Sequence, residues 1–160
     1  MLLYIATTRF NNETWEQNLI WRERNNWKGC IYGTPTRIKD VIPNGANVII
    51  IEMNNDKNKI MGFGLIKKKE FMDKKYNIYE WGNYNRYIYK GKYRIDRENI
   101  MNDDEELVFK VLDMLVFKGS RHLKRGHGII CLPEWILNNK VINFKEKLKN
   151  MFLNRYNNIE

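Results

Sequence analysis

Residues 46–71 constrain the fold most: "ANVIIIEM", the connection "NNDKN" and the return run "KIMGFGLIKKKEF" are two apolar stretches around an Asn- and Asp-rich turn. Apolar β-branched runs bounded by turn residues are strands, and two so close in sequence pair as an antiparallel hairpin. Gly62 and Gly64 flank Phe63 in the second run, which predicts a bulge or a close backbone approach and a strongly bent strand. Such bends suit a small closed barrel.

The flanking sequence supplies the remaining layers. Leu2 to Thr8 reads as a first strand, and Asn11 and Asn12 are candidate N-caps for the helix "ETWEQNLIWRE", in which Trp15 and Leu19 share a face. "WKGCIYGTP" predicts a short second strand ending in a turn, and "TRIKDVIPNG" a loop or helical turn. "YNIYEWGNYNRYIYKGKYRI" alternates aromatic and polar residues and predicts further strands. From Asp103 the period becomes helical: Asp103 with Glu106 suggests a capping box, and Leu107, Val111, Leu112 and Leu115 recur on one face up to Gly119. "GIICLP" is a short strand, and "PEWILNN" and "VINFKEKLKNMFLNRY" read as helices with Ile142, Leu148, Met151 and Phe152 turned inward. This order predicts a single domain over residues 1–160, an α+β fold whose mostly antiparallel or mixed sheet curls into a barrel.

Charge narrows the partner. Lys+Arg 28 against Asp+Glu 19 gives a net charge of +9, which makes polyanions the expected ligand class, nucleic acid ahead of an acidic membrane surface. Cys30 and Cys131 stand alone, so neither a zinc framework nor a disulfide scaffold is indicated, and a reducing compartment fits. "MLLYIATTRF" is too short for a membrane span and lacks the marks of a signal peptide, so a cytoplasmic or nuclear protein is expected, with no membrane association.

Two constellations carry possible chemistry. "KGSRHLKRGHG", residues 118–128, holds both histidines, His122 and His127, five residues apart. That spacing does not form a helical metal site, no nucleophile motif surrounds Cys30 or Cys131, and neither metal nor cofactor is expected. The segment makes better sense as a phosphate contact: Lys118, Arg121, Lys124 and Arg125 supply charge, His122 and Ser120 hydrogen bonds, and the glycines allow backbone N–H groups to approach. The second constellation is aromatic, from Trp15, Trp21, Trp27 and Tyr32 to Tyr79, Trp81, Tyr84, Tyr87 and Tyr89, most of them core residues and some able to stack on a base.

In order along the chain, the strand ending in Thr7-Thr8, the capped helix, "GCIYGTP", "IPNGA" and "NVIIIEMNNDKNKIMGFGLI" resemble the PUA-like superfamily, in particular its YTH and EVE domains, over roughly residues 1–95. The resemblance implies a compact curled β-barrel flanked by helices, with an aromatic pocket for one modified nucleobase, such as N6-methyladenine, flipped out of single-stranded nucleic acid. By position, Tyr32 stands where a YTH domain has its first cage tryptophan, Gly33 where that family has a small residue, and Thr7 and Thr8 where the first strand reads the base edge. Trp81 or Tyr84 would form the opposite wall. The Tyr in place of Trp and the segment 117–129 are departures from the YTH pattern. The Asn-rich style also resembles small proteins of large DNA viruses.

The expected function is therefore a non-enzymatic reader of a base, in RNA more than DNA. Trp27, Tyr32 and Trp81 are its candidate walls, Thr7, Thr8 and Asn83 its polar readers, and Lys118, Arg121, His122, Lys124 and Arg125 its phosphate holders. The alternatives are a nuclease or nucleic-acid-processing enzyme using His122 or His127 as general acid/base, and a basic protein-interaction subunit.

Overall fold

The computed structural model describes residues 2–157 and 159. A central mixed sheet carries β1 (Leu3–Phe10), β3 (Asn47–Asn54), β4 (Lys59–Lys67), β6 (Tyr93–Asp96) and β7 (Ile130–Cys131), in the order β6-β4-β3-β1-β7. β1 and β3 are parallel, and every other pairing in this sheet is antiparallel. A smaller sheet pairs β2 (Cys30–Thr34) with β5 (Tyr87–Gly91).

Helices α2 (Asp103–Phe117), α3 (Glu134–Leu137) and α4 (Phe144–Arg155) cover one face of the large sheet; α1 (Asn12–Arg24) and the small sheet cover the other. This explains why "NVIIIEM" does not alternate with polar residues: β3 is central and buried on both sides. Its Ile49, Ile51 and Met53 enter the core beneath α2–α4, while Val48 and Ile50 enter the core beneath β2 and α1. Burying such side chains stabilises by about 1.5–3 kcal/mol each before conformational entropy is subtracted.

The predicted hairpin is β3–β4, and its register shifts between Glu52 and Met53, opposite the Gly62 region where the bulge was expected. Gly64 faces Tyr32, whose hydroxyl would lie 2.0 Å from a Cβ placed there. The two sheets meet at a bend between β5 and β6: a Cβ on Gly91 would stand 1.8 Å from the Leu65 carbonyl oxygen, so only glycine lets the chain cross from one sheet to the other. Hydrogen bonding does not continue from β2 around to β7 among the described residues. The mixed α+β sheet is as expected, but it forms two joined sheets rather than the closed ring of a barrel.

Three local readings need correction. The buried face of α1 is polar, carrying Asn18 and Arg22, while Leu19 is exposed. The cap of α2 is Asn102, which accepts from the Glu105 amide, so the cap lies one residue before the proposed Asp103 and Leu107 faces solvent. The aromatic segment from Tyr76 to Trp81 forms no strand, and Gly82–Asn85 is a 3₁₀ turn. In the C-terminal part Ile142, Leu148, Met151 and Phe152 are buried as read. No helix among the described residues is long and apolar enough to cross a membrane.

Candidate functional site

The pairing of β7 with β1 through Ala6↔Cys131 and Thr7↔Ile130 delivers the segment that precedes β7 to the C-terminal end of β1. The β3–β4 turn arrives at the same end because β3 is parallel to β1. The start of α1 is tied there as well: the Asn12 amide donates to Asp56 Oδ2 at 2.8 Å, and Asn54 Nδ2 donates to Asn12 Oδ1 at 3.2 Å. These elements enclose a cleft of about 470 Å³.

One wall is aromatic, with Phe10, Tyr32, Tyr79 and Tyr84, and the opposite rim is the loop Lys124–Gly128. Tyr84 is the half-exposed ring of this wall. It packs edge-on against Tyr79, centroids 6.1 Å apart, and against Trp81 at 4.6 Å. Thr8, Asn11, Thr14 and Asn55 contribute polar groups.

The loop is held from beneath by Arg9. Its Nη1 donates to the Leu123 carbonyl at 3.0 Å and to Thr7 Oγ1 at 3.0 Å, while Nη2 donates to the Gly128 carbonyl at 2.9 Å and to Thr7 O at 3.1 Å. No carboxylate pairs with this guanidinium among the described residues, and burial pulls its pKa down to about 10. Asn55 completes the attachment by donating from Nδ2 to the Lys124 carbonyl at 2.9 Å.

Two polar atoms of cleft residues, Arg9 Nε and Asn55 Oδ1, are buried without a hydrogen-bond partner. Buried groups of this kind are rare in folded proteins, since each costs about 1–3 kcal/mol to leave unsatisfied.

Of the residues singled out from sequence, Thr8, Tyr32, Gly33, Tyr84, Lys124 and Arg125 line the cleft, as does His127. Tyr32 reaches it with only 1% of its surface exposed, its hydroxyl donating to Glu52 Oε2 at 2.6 Å, so it is a core residue at the floor rather than a free stacking wall. Thr7 is buried and does not line the cleft, its hydroxyl donating to the Ile130 carbonyl. Trp27 lies at the other end of β2, its Nε1 donating to the Cys30 carbonyl at 3.0 Å, and lines a separate groove. Trp81 is 61% exposed and supports Tyr84 from outside the cleft. Asn83, Lys118 and Arg121 are exposed and do not line it; Arg121 sits over the Trp135 ring at 5.3 Å. His122 shapes the loop, its Nδ1 accepting from the Lys124 amide at 3.2 Å.

Sequence reading missed Arg9, Phe10 and Asn55, and it placed Tyr79 in the aromatic constellation without choosing it as a wall. An arginine between Thr8 and Phe10 in an otherwise apolar strand was the available signal for the first. No carboxylate lines the cleft among the described residues, so His127 has no acidic partner there. Glu52, beneath Tyr32, is consumed by Arg94, whose Nη2 and Nε donate to its two oxygens at 2.6 and 3.0 Å. No group of three or more metal-ligating side chains occurs among the described residues. No protein-family model, curated protein or solved structure matches the chain.

Proposed function

We propose that the chain is a nucleic-acid-binding module that receives one base, extruded from a single strand of RNA or DNA, in the cleft between Tyr84 and the loop Lys124–Gly128. The observation that carries this reading is the meeting, in one cleft, of a half-buried aromatic ring, the cations of Lys124 and Arg125, and the polar side chains of Thr8, Asn11 and Thr14. Extracting a base costs a few kcal/mol of stacking, and an aromatic contact returns about 1–3 kcal/mol. Hydrogen bonds to the base edge and charge-assisted contacts to the flanking phosphates supply the rest. A methyl on the base adds about 1–3 kcal/mol in an apolar pocket, so a modified base is the preferred ligand. On this reading the two sheets joined at Gly91 are the halves of a PUA-like curled barrel.

The test is a fluorescence-anisotropy titration with single-stranded RNA and DNA oligonucleotides, unmodified, methylated and hydroxymethylated, at several salt concentrations. The reading expects salt-dependent binding that weakens in Tyr84→Ala, with the largest loss on the preferred modified oligonucleotide. Absence of binding to every oligonucleotide at low salt overturns it.

A further inference from the structure

A second groove, about 480 Å³, opens at the opposite end of the sheets, where β3 begins and β5 bends into β6. Four lysines line it, Lys67, Lys69, Lys90 and Lys92, together with the rings of Trp27 and Phe71. None of these lysines forms an ion pair among the described residues. The Lys90 ammonium is held 4.9 Å from the Trp27 centroid, 4.8 Å from Phe71 and 5.1 Å from Tyr76. Rings around a cation resemble a cage for a cationic guest, but here a lysine of the chain already occupies that place and three more surround it. Charge complementarity therefore selects an anion, and one with apolar surface, since the groove also presents Leu65 and Ile66.

We infer that this groove is a second contact for the same single strand, its phosphates lying on Lys67, Lys69 and Lys92 beside the ring-held charge of Lys90. The inference rests on the proposed nucleic-acid function. Lysine suits the role because each ammonium meets a phosphate as a compact point charge with freely rotating donors. Trp27, fixed through its indole N–H, holds the Lys90 ammonium in place against its ring. β1, eight residues long, separates the clefts: Thr8 and Phe10 line the first, while Asn47, paired with Leu3 at the other end, lines the second. At about 3.3 Å per residue the two lie roughly 20 Å apart, so a short oligonucleotide fills one and a longer one reaches both.

The experiment compares wild type with the Lys69→Glu/Lys92→Glu double variant on oligonucleotides of about 5 and about 20 nucleotides that carry the preferred base at one end. Both lysines are exposed, and thermal melting checks that the variant folds. The expected result is tighter wild-type binding of the long strand, a loss of about tenfold or more in the variant confined to that strand, and a salt-dependence slope reduced by about 1.4. Equal wild-type affinity for both lengths, or equal loss on both in the variant, overturns the second contact while leaving the first cleft as the reader. Failure of wild type to bind either length overturns both. Binding to anionic vesicles that is sensitive to the double substitution, with no effect on the long strand, assigns the groove to a membrane surface and likewise overturns the inference.

Discussion

The Tyr32 hydroxyl donates a 2.6 Å hydrogen bond to Glu52 across the gap between the two sheets, and Arg94 grips the same carboxylate with two donors. Tyr32 and Glu52 are both almost fully buried, and Asp96 takes a further Arg94 donor at 2.9 Å. A residue that by resemblance stood at the wall of a cage is thereby the neutral end of a buried ionic chain. Burial and the adjoining Glu52 charge together hold its phenol well above the usual tyrosine range.

Removing the hydroxyl and removing the charge should differ in cost. Tyr32→Phe leaves Glu52 paired with Arg94 and is expected to destabilise by about 1–2 kcal/mol. Glu52→Ala leaves the Arg94 guanidinium with Asp96 alone and should cost about 3–5 kcal/mol. Urea unfolding at neutral pH measures both, and the reverse order would show that the ion pair is not the strong part of the network. Oligonucleotide affinity should change little in Tyr32→Phe, because the hydroxyl is already committed.

Arg9 should govern the order of the loop. In Arg9→Met the Leu123 and Gly128 carbonyls lose their donor while the apolar stem still fills much of the space beside Met53. Hydrogen exchange and protease cleavage are then expected to rise within residues 119–128 and to stay unchanged in the β3–β4 hairpin. Equal protection in both proteins would mean that the loop is held by its other contacts.

How much of this was legible depends on whether the signal was local. The hairpin, its bulge near Gly62, the Asn11 cap of α1 and the buried positions of α4 are written in short-range pattern, and each appears where the sequence puts it. Which aromatic ring is accessible is not local. Tyr32 and Tyr84 carry the same chemistry, yet the strand register places one against Glu52 and the 3₁₀ turn leaves the other half exposed. The basic loop shows the same division. Its cations were readable, but the choice of Lys124 and Arg125 over Lys118 and Arg121 follows from Arg9, whose partners lie more than a hundred residues away. The inward face of α1 was misread because hydrophobic periodicity does not register Asn18 and Arg22, which serve the buried polar side of the core.

Cys30 makes stability sensitive to alkali. Burial, with the nearby Glu52 charge, pushes its thiol up to about 12, from an ordinary value near 9. Between these values the unfolded chain loses the proton and the folded chain keeps it, so the folded state binds more protons and stability falls as pH rises. The stabilising contribution is complete below about pH 9 and is lost progressively towards pH 12. Tyr79, likewise pushed up to about 12 by burial, adds to the same decline above about pH 10. Guanidinium unfolding at pH 8 and pH 10.5 should therefore show a smaller difference in Cys30→Ala than in wild type. An identical difference would place the alkaline loss on the tyrosines alone.

The rim separates charge from selectivity. Arg125 lines the cleft with Lys124, whereas Arg121 lies over Trp135 and faces away. Arg125→Glu should weaken all single-stranded oligonucleotides by a similar factor and lower the salt-dependence slope by about 0.7, because a phosphate contact carries no base information. Arg121→Glu, an equal change in net charge, should have a clearly smaller effect; equal losses would mean that the loop acts through its diffuse field and not through contact. Tyr84→Ala should instead change the ranking among modified oligonucleotides while leaving the salt slope near the wild-type value. A ranking that shifts in Arg125→Glu but not in Tyr84→Ala would move the reader from the aromatic wall to the loop, with the backbone amides and His127 as the groups that touch the base.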